Sequence, residues 1–200
     1  MTGPQAQAFT EQLARQFVLA RVVRAGLIAL AIGVVLLGEG VNMLLLLVLA
    51  VIWIVLSSAG AATVQLLQAA SAHIAAERFD LAQRALVTAA LRFNFQPAPR
   101  LTAVQHLATL LHQARQYAPA AHLSRFLINQ AVRVRNLRRS FDRAGRLLLA
   151  DCELMQGRLH EAYEQLTILY QSPQTLSEQL ALLPVECYYE ASIGHWDGLA

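Results

Sequence analysis

The stretch RVRNLRRSFDRAGR, Arg133 to Arg146, sets six arginines against one aspartate. On a single helix Arg139, Arg143 and Arg146 fall at i, i+4 and i+7 and share a face, with Arg135 four residues ahead of the first. Guanidinium groups grip carboxylates and phosphates through paired N–H bonds. This stripe is therefore a candidate binding site for an acidic peptide segment or another anionic partner. A solvated basic face that keeps the domain in solution is the competing reading. Nucleic acid fits less well, because aromatic residues are not regularly interleaved with the arginines to stack on bases, Phe141 standing alone among them.

No other cluster suggests chemistry. The six histidines are scattered, with no HExxH and no pair at i+3 or i+4, so no metal site is expected. Cys152 and Cys187 form neither a CxxC nor a Cys/His spacing, and both read as buried thiols. Glu186 and Glu190 stand one turn apart, which on a helix face usually means two solvated carboxylates. Phosphate-binding, nucleophile-elbow and dinucleotide fingerprints are absent from the sequence. Neither a cofactor nor catalysis is expected.

The elements that would carry the arginines begin with a segment made for lipid. The chain has 200 residues, is 56% hydrophobic and 14% charged, carries a net charge of +3, and has a mean hydropathy of +0.42. A soluble domain is nearer ~45–50% apolar. All sixteen basic residues are arginine, a mark of genome base composition and not of chemistry. Two oily runs, VVRAGLIALAIGVVLLG from Val22 and VNMLLLLVLAVIWIVL from Val41, each approach the ~17-residue minimum for a bilayer core. The Leu, Ile and Val residues of the first contribute roughly −3 to −6 kcal/mol to insertion. Arg24 lies near the end of that run, where it can snorkel.

Gly38-Glu39-Gly40 lies between the runs and allows a tight reversal, which predicts a transmembrane hairpin with spans at about 22–38 and 41–57. Ala25, Ala29 and Gly33 offer a small-residue face for close packing of the two spans. Arg15, Arg21 and Arg24 precede the first span and no basic residue stands in the gap, so the positive-inside rule places both termini in the cytoplasm. Trp53 fits an interfacial anchor. Phe9, Leu13 and Phe17, four residues apart, predict an amphipathic helix on the membrane surface over 1–20, or else an extension of the first span.

Residues 58–200 lack strand alternation and repeat apolar residues at helical spacing. The reading is helices at about 60–77, 80–93, 101–115, 118–135, 138–156, 159–171 and 175–192. Asp80 with Gln83, Thr102 with Gln105 and Thr175 with Glu178 look like capping boxes. QPAP at Gln96–Pro99 and Ser172-Pro173 look like breaks. Three elbows share one frame: Phe79 then Ala82, Tyr117 then Ala120, Leu159 then Ala162. Another alanine stands twelve residues before each, at Ala70, Ala108 and Ala150. Two helices pack closely where small residues face each other, with the bulkier residue plugging the elbow.

This order resembles the tetratricopeptide repeat (TPR). The fullest copy is LLADCELMQGRLHEAYEQLTILYQSP, through Ala150, Gly157, Ala162, Leu166 and Pro173. The elbows recur after 38 and 42 residues, longer than the usual repeat of about 34, so the array is TPR-like. A fourth copy, with Cys187 as the small partner and Trp196 and Ala200 as elbow and alanine, predicts that the natural chain continues. The resemblance implies an all-α fold, a two-helix transmembrane hairpin followed by a right-handed α-solenoid of helix pairs. It also implies binding of extended peptides or partner helices along a groove.

The layout of hairpin and repeats is similar to that of the HemY family of bacterial inner-membrane proteins. The expected function is a membrane-anchored adaptor that binds other proteins at the cytoplasmic face and touches lipid through residues 21–57. The alternative is a non-catalytic portion of a larger membrane enzyme or signalling protein.

Overall fold

The computed structural model describes residues 1–36, 43–93, 96–132 and 138–194, and every element among them is an α-helix. In chain order these are α1 (Gly3–Leu36), α2 (Met43–Ala75), α3 (Phe79–Leu91), α4 (Pro97–Gln113), α5 (Tyr117–Ala131), α6 (Arg138–Met155), α7 (Leu159–Tyr170) and α8 (Leu176–Ile193). By its contacts the chain divides into two compact units, Phe9–Ala103 and Met1–Ala8 with Val104–Ala200. In the first, α2 packs on α3. In the second, α5 packs on α6, α6 on α7, and α8 on both α6 and α7.

The expected boundary at 57/58 falls inside α2, which continues without a break from the oily run into the helix that precedes the first elbow. The Gly38-Glu39-Gly40 reversal lies outside the described residues. The stretch Gly3–Gly33 is long and apolar enough to cross a membrane, and only 11% of its most apolar window is buried inside the protein. A core helix of a soluble protein would be mostly covered. Val18, Leu19, Val22, Leu30 and Ile32 of α1 and Leu47, Val51 and Ile54 of α2 are all exposed.

Two expectations for α1 are corrected. Phe9, Leu13 and Phe17 are buried within the protein, along with Ala20, and not on a separate surface helix: α1 runs unbroken from Gly3 to Leu36, as the alternative of an extended first helix has it. Arg100 accounts for part of that cover: its guanidinium lies 4.1 Å from the centre of the Phe17 ring and its Nη2 donates to Gln16 Oε1 at 2.8 Å. The expected small-residue face is covered only at Gly33, which is half-buried. Ala25 and Ala29 are exposed, whereas Val23, Leu27 and Ala31 are half-buried and prolong the stripe of Leu13 and Ala20. Leu13, Ala20 and Leu27 recur every seven residues, as do Thr63 and Ala70 on α2, both fully buried; a seven-residue period is the spacing of helices that pack along their length.

The three elbows have one stereochemistry. Glu77, Arg115 and Gly157 take left-handed backbone, with φ of 56°, 57° and 74°. After each, the next amide reaches back five residues, Arg78 to the His73 carbonyl, Gln116 to Leu111 and Arg158 to Glu153, at 2.9, 2.8 and 2.9 Å. The left-handed residue's own amide bonds three back, to Ile74, His112 and Leu154. This pattern satisfies carbonyls orphaned at a helix end.

Arg78, Gln116 and Arg158 then serve as the caps of α3, α5 and α7 with φ near −90° and ψ of 67°, 67° and 73°. Their carbonyls accept from Ala82, Ala120 and Ala162. One residue thus ends one helix and begins the next, which fixes each alanine four positions later. Ala70, Ala82, Ala108, Ala120, Ala150 and Ala162 are all 0% exposed, as close helix approach requires. The plug is less uniform. Leu159 packs against the cluster of Ala150, Leu154, Ala162 and Leu166, and Tyr117 sets its ring edge on His112 at 5.4 Å, but Phe79 is 49% exposed and plugs nothing.

The helix starts differ from the expected caps in two places. The cap of α3 is Arg78, two residues before the expected Asp80, because the left-handed turn places it there, and it makes no side-chain cap bond. Asp80 instead sits in the first turn, where a carboxylate suits the helix dipole. α4 begins at Pro97, and Thr102 is interior, its hydroxyl donating to the Ala98 carbonyl at 3.1 Å. Proline is favoured in a first turn, where its missing N–H costs nothing. Thr175 with Glu178 is a full capping box. Cys152 is buried but Cys187 is exposed, since no described helix covers that side of α8; the proposed fourth elbow at Trp196 and Ala200 lies outside the described residues.

Candidate functional site: the groove along α6 and α8

The basic stripe does form on α6. Arg139, Arg143 and Arg146 lie on it, while Arg135 lies outside the described residues. The structure gives the three different work. Arg143 is buried, ion-paired with Glu178, and donates to Ser172 Oγ at 2.8 Å and to the Pro173 carbonyl. It holds the turn between α7 and α8 against α6. Arg146 donates to both oxygens of Asp142 at 3.1 Å and to Gln165 Oε1 at 2.9 Å, tying α6 to α7. Arg139 is exposed and makes a 2.5 Å bond to the Pro173 carbonyl.

Beside Arg139 and Arg143 a groove of about 500 Å³ opens among α6, α7 and α8. Its floor is apolar, from Ala144, Leu147, Leu169, Ala181 and Leu182, and its rim is polar, from Arg139, Ser140, Gln174, Ser177 and Glu178. An apolar trough with a few polar groups at its edge is the usual form of a site for a peptide side chain or small ligand. Glu178 accepts from Arg143 and from the Thr175 amide, and these bonds hold its carboxyl down at about 2. Glu178 was legible only as a helix cap; its second role depends on α8 lying beside α6.

Three further groups escaped the sequence. Glu153, 1% exposed, is bracketed by Arg125 from α5 and Arg158 from the third elbow, both of which reach it from partly exposed positions. His112 Nε2 lies 2.9 Å from Asp151 Oδ2, joining α4 to α6. Arg100, fully buried, donates from Nε to the Ala90 carbonyl at 2.9 Å, and burial draws its pKa down to about 10. Arg100 follows QPAP with no helical partner in sequence, so nothing local marks it. Among the described residues no three metal-ligating side chains converge.

In comparisons with family models, curated proteins and solved structures, nothing matches this chain.

Proposed function

We propose that the chain is a membrane-anchored adaptor: a transmembrane hairpin of α1 and α2 presents TPR-like helix pairs at the cytoplasmic face, where the α6–α8 groove receives a segment of a partner protein. The observation that carries this reading is the threefold elbow, with left-handed residues at 77, 115 and 157 and a buried alanine on each side. A chain built of like helix pairs can stack them side by side and leave a groove along the stack. The exposed apolar residues of α1 and α2 support the membrane anchor. Arginines at the start of the first span, with none in the gap between the two oily runs, support cytoplasmic termini. In the groove, Arg139 supplies the cation for an acidic group on the incoming segment, and the apolar floor takes its side chains.

The test is photo-crosslinking in cells from a reactive residue placed at Ser140 or Ala181, with the exposed His160 as a control position outside the groove. A defined adduct from the groove positions, lost in Arg139→Glu, is expected. Equal adducts from groove and control, or none from the groove, overturn the reading. Arg143 is unsuitable as the probe, because its replacement would release the turn that shapes the groove.

A further inference from the structure

A second concavity, of about 360 Å³, lies between α7 and α8 and shares no lining residue with the groove. Its chemistry is of one kind. Tyr163, Tyr170 and Tyr189 contribute aromatic surface, Glu186 and Glu190 contribute carboxylates, and among the described residues no basic side chain lines it. The Tyr163 and Tyr189 rings stack, 5.8 Å between centres and 24° between planes. Burial first, then the interaction with the Glu186 carboxylate and the nearby Glu190 charge, push the Tyr170 hydroxyl pKa up. The phenol therefore keeps its proton. On a chain of net charge +3, this is a local reversal of sign, framed by π faces.

We infer that the concavity of Tyr163, Tyr170 and Tyr189 with Glu186 and Glu190 is a cation-recognition site for an arginine side chain of a partner peptide. Aromatic faces attract cations through the ring quadrupole, and carboxylates beside them supply the opposite charge. Arginine is favoured over lysine because its planar guanidinium can lie on a ring face while its N–H fork bonds a carboxylate, which a compact, strongly hydrated ammonium does less well. A metal ion holds its water too strongly to gain much from the tyrosine faces. The inference goes beyond the adaptor reading and does not depend on it: the site stands whether or not the α6–α8 groove binds anything.

The test uses the full chain in detergent micelles, labelled with 3-fluorotyrosine and read by fluorine NMR. Nα-acetyl-arginine methylamide is the probe, and the corresponding citrulline compound is its neutral isostere. Saturable shifts at Tyr163, Tyr170 and Tyr189 with the arginine probe are expected, with none at Tyr117 and none with citrulline. Tyr189→Leu should weaken binding about three- to fivefold, the worth of one exposed ring contact. Tyr189→Phe, which keeps the π face, should retain it. Glu186→Gln with Glu190→Gln should remove the dependence on salt. Equal shifts from arginine and citrulline, or shifts at Tyr117 as large as those in the concavity, overturn the proposal. The probe comparison is made on the unaltered chain, so a variant that fails to fold does not decide the outcome.

Discussion

The elbow at Arg115 allows the repeat to be tested by a substitution that touches no packed side chain. Arg115 is exposed and holds φ of 57°, where a Cβ crowds its own backbone, at a cost of ~1–2 kcal/mol. Replacing it with glycine removes that strain but loosens the unfolded chain, which returns about 0.4–1 kcal/mol. Arg115→Gly is therefore expected to stabilise by about 0.5–1 kcal/mol. Arg115→Ala keeps the Cβ and should change little.

At the third elbow glycine already occupies the position, with φ of 74° and open space around it. Gly157→Ala should cost about 1 kcal/mol, and Gly157→Asn less, because asparagine tolerates left-handed backbone. Thermal unfolding of the full chain in mild detergent, followed by circular dichroism, reads these as shifts of roughly 2–4 °C per kcal/mol for a chain of this size. If Arg115→Gly and Arg115→Ala moved the midpoint alike, backbone handedness would not be what closes the elbow, and the argument from its repetition would fail.

Three more outcomes follow from the second unit. Around Glu153, Arg125→Ala and Arg158→Ala should each cost about 1 kcal/mol, since each arginine is partly exposed and the carboxylate keeps one partner. Together they strand a buried charge and should cost about 3–5 kcal/mol, so an additive double variant in urea unfolding would show that water reaches the carboxylate. Glu178 has a folded pKa of about 2 against an ordinary 4.5, held down first by Arg143. Its contribution is complete above about pH 4.5 and lost as pH falls toward 2, so the thermal midpoint should drop between pH 5 and pH 3, and less so in Glu178→Gln. Burial, then the neighbouring Asp151 and Glu153 charges, push the Cys152 thiol up to about 12, while Cys187 is exposed. Mass spectrometry after brief maleimide treatment should find Cys187 labelled and Cys152 labelled only after unfolding.

What was legible in the sequence was the part written by local rules. The helices from Phe79 onward lie within a few residues of their expected places, because apolar period, proline and the alanine frame all act over a few positions. The elbows were legible through Ala82, Ala120 and Ala162, since a shared cap residue fixes that alanine's place in the chain. Their left-handed residues were not, since Glu77 and Arg115 are not glycine. The burial of Phe9, Leu13 and Phe17 was misread because an apolar stripe does not say whether lipid or protein covers it. Here a guanidinium eighty-three residues beyond Phe17 answers the question. The arginine stripe was found, but its division of labour depends on Ser172, Pro173 and Glu178 arriving from another helix. The tyrosine concavity was invisible for the same reason: Glu186 and Glu190 read as solvated until α7 set Tyr163 and Tyr170 beside them.

Under the adaptor reading proposed above, in which the oily run of α2 lies in lipid, the unbroken run of that helix gives the anchor a mechanical meaning. Its 33 residues make a rod about 50 Å long, of which the last 25–30 Å reach from the end of the oily run to the first elbow. With no flexible joint between, the rod transmits whatever happens at its greasy end. A change of tilt of about 20°, the size by which spanning helices adapt to bilayer thickness, swings the far tip by about 10 Å. The α2–α3 pair would ride on that swing like the hand of a gauge, so that the thickness of the surrounding lipid sets where its surface points.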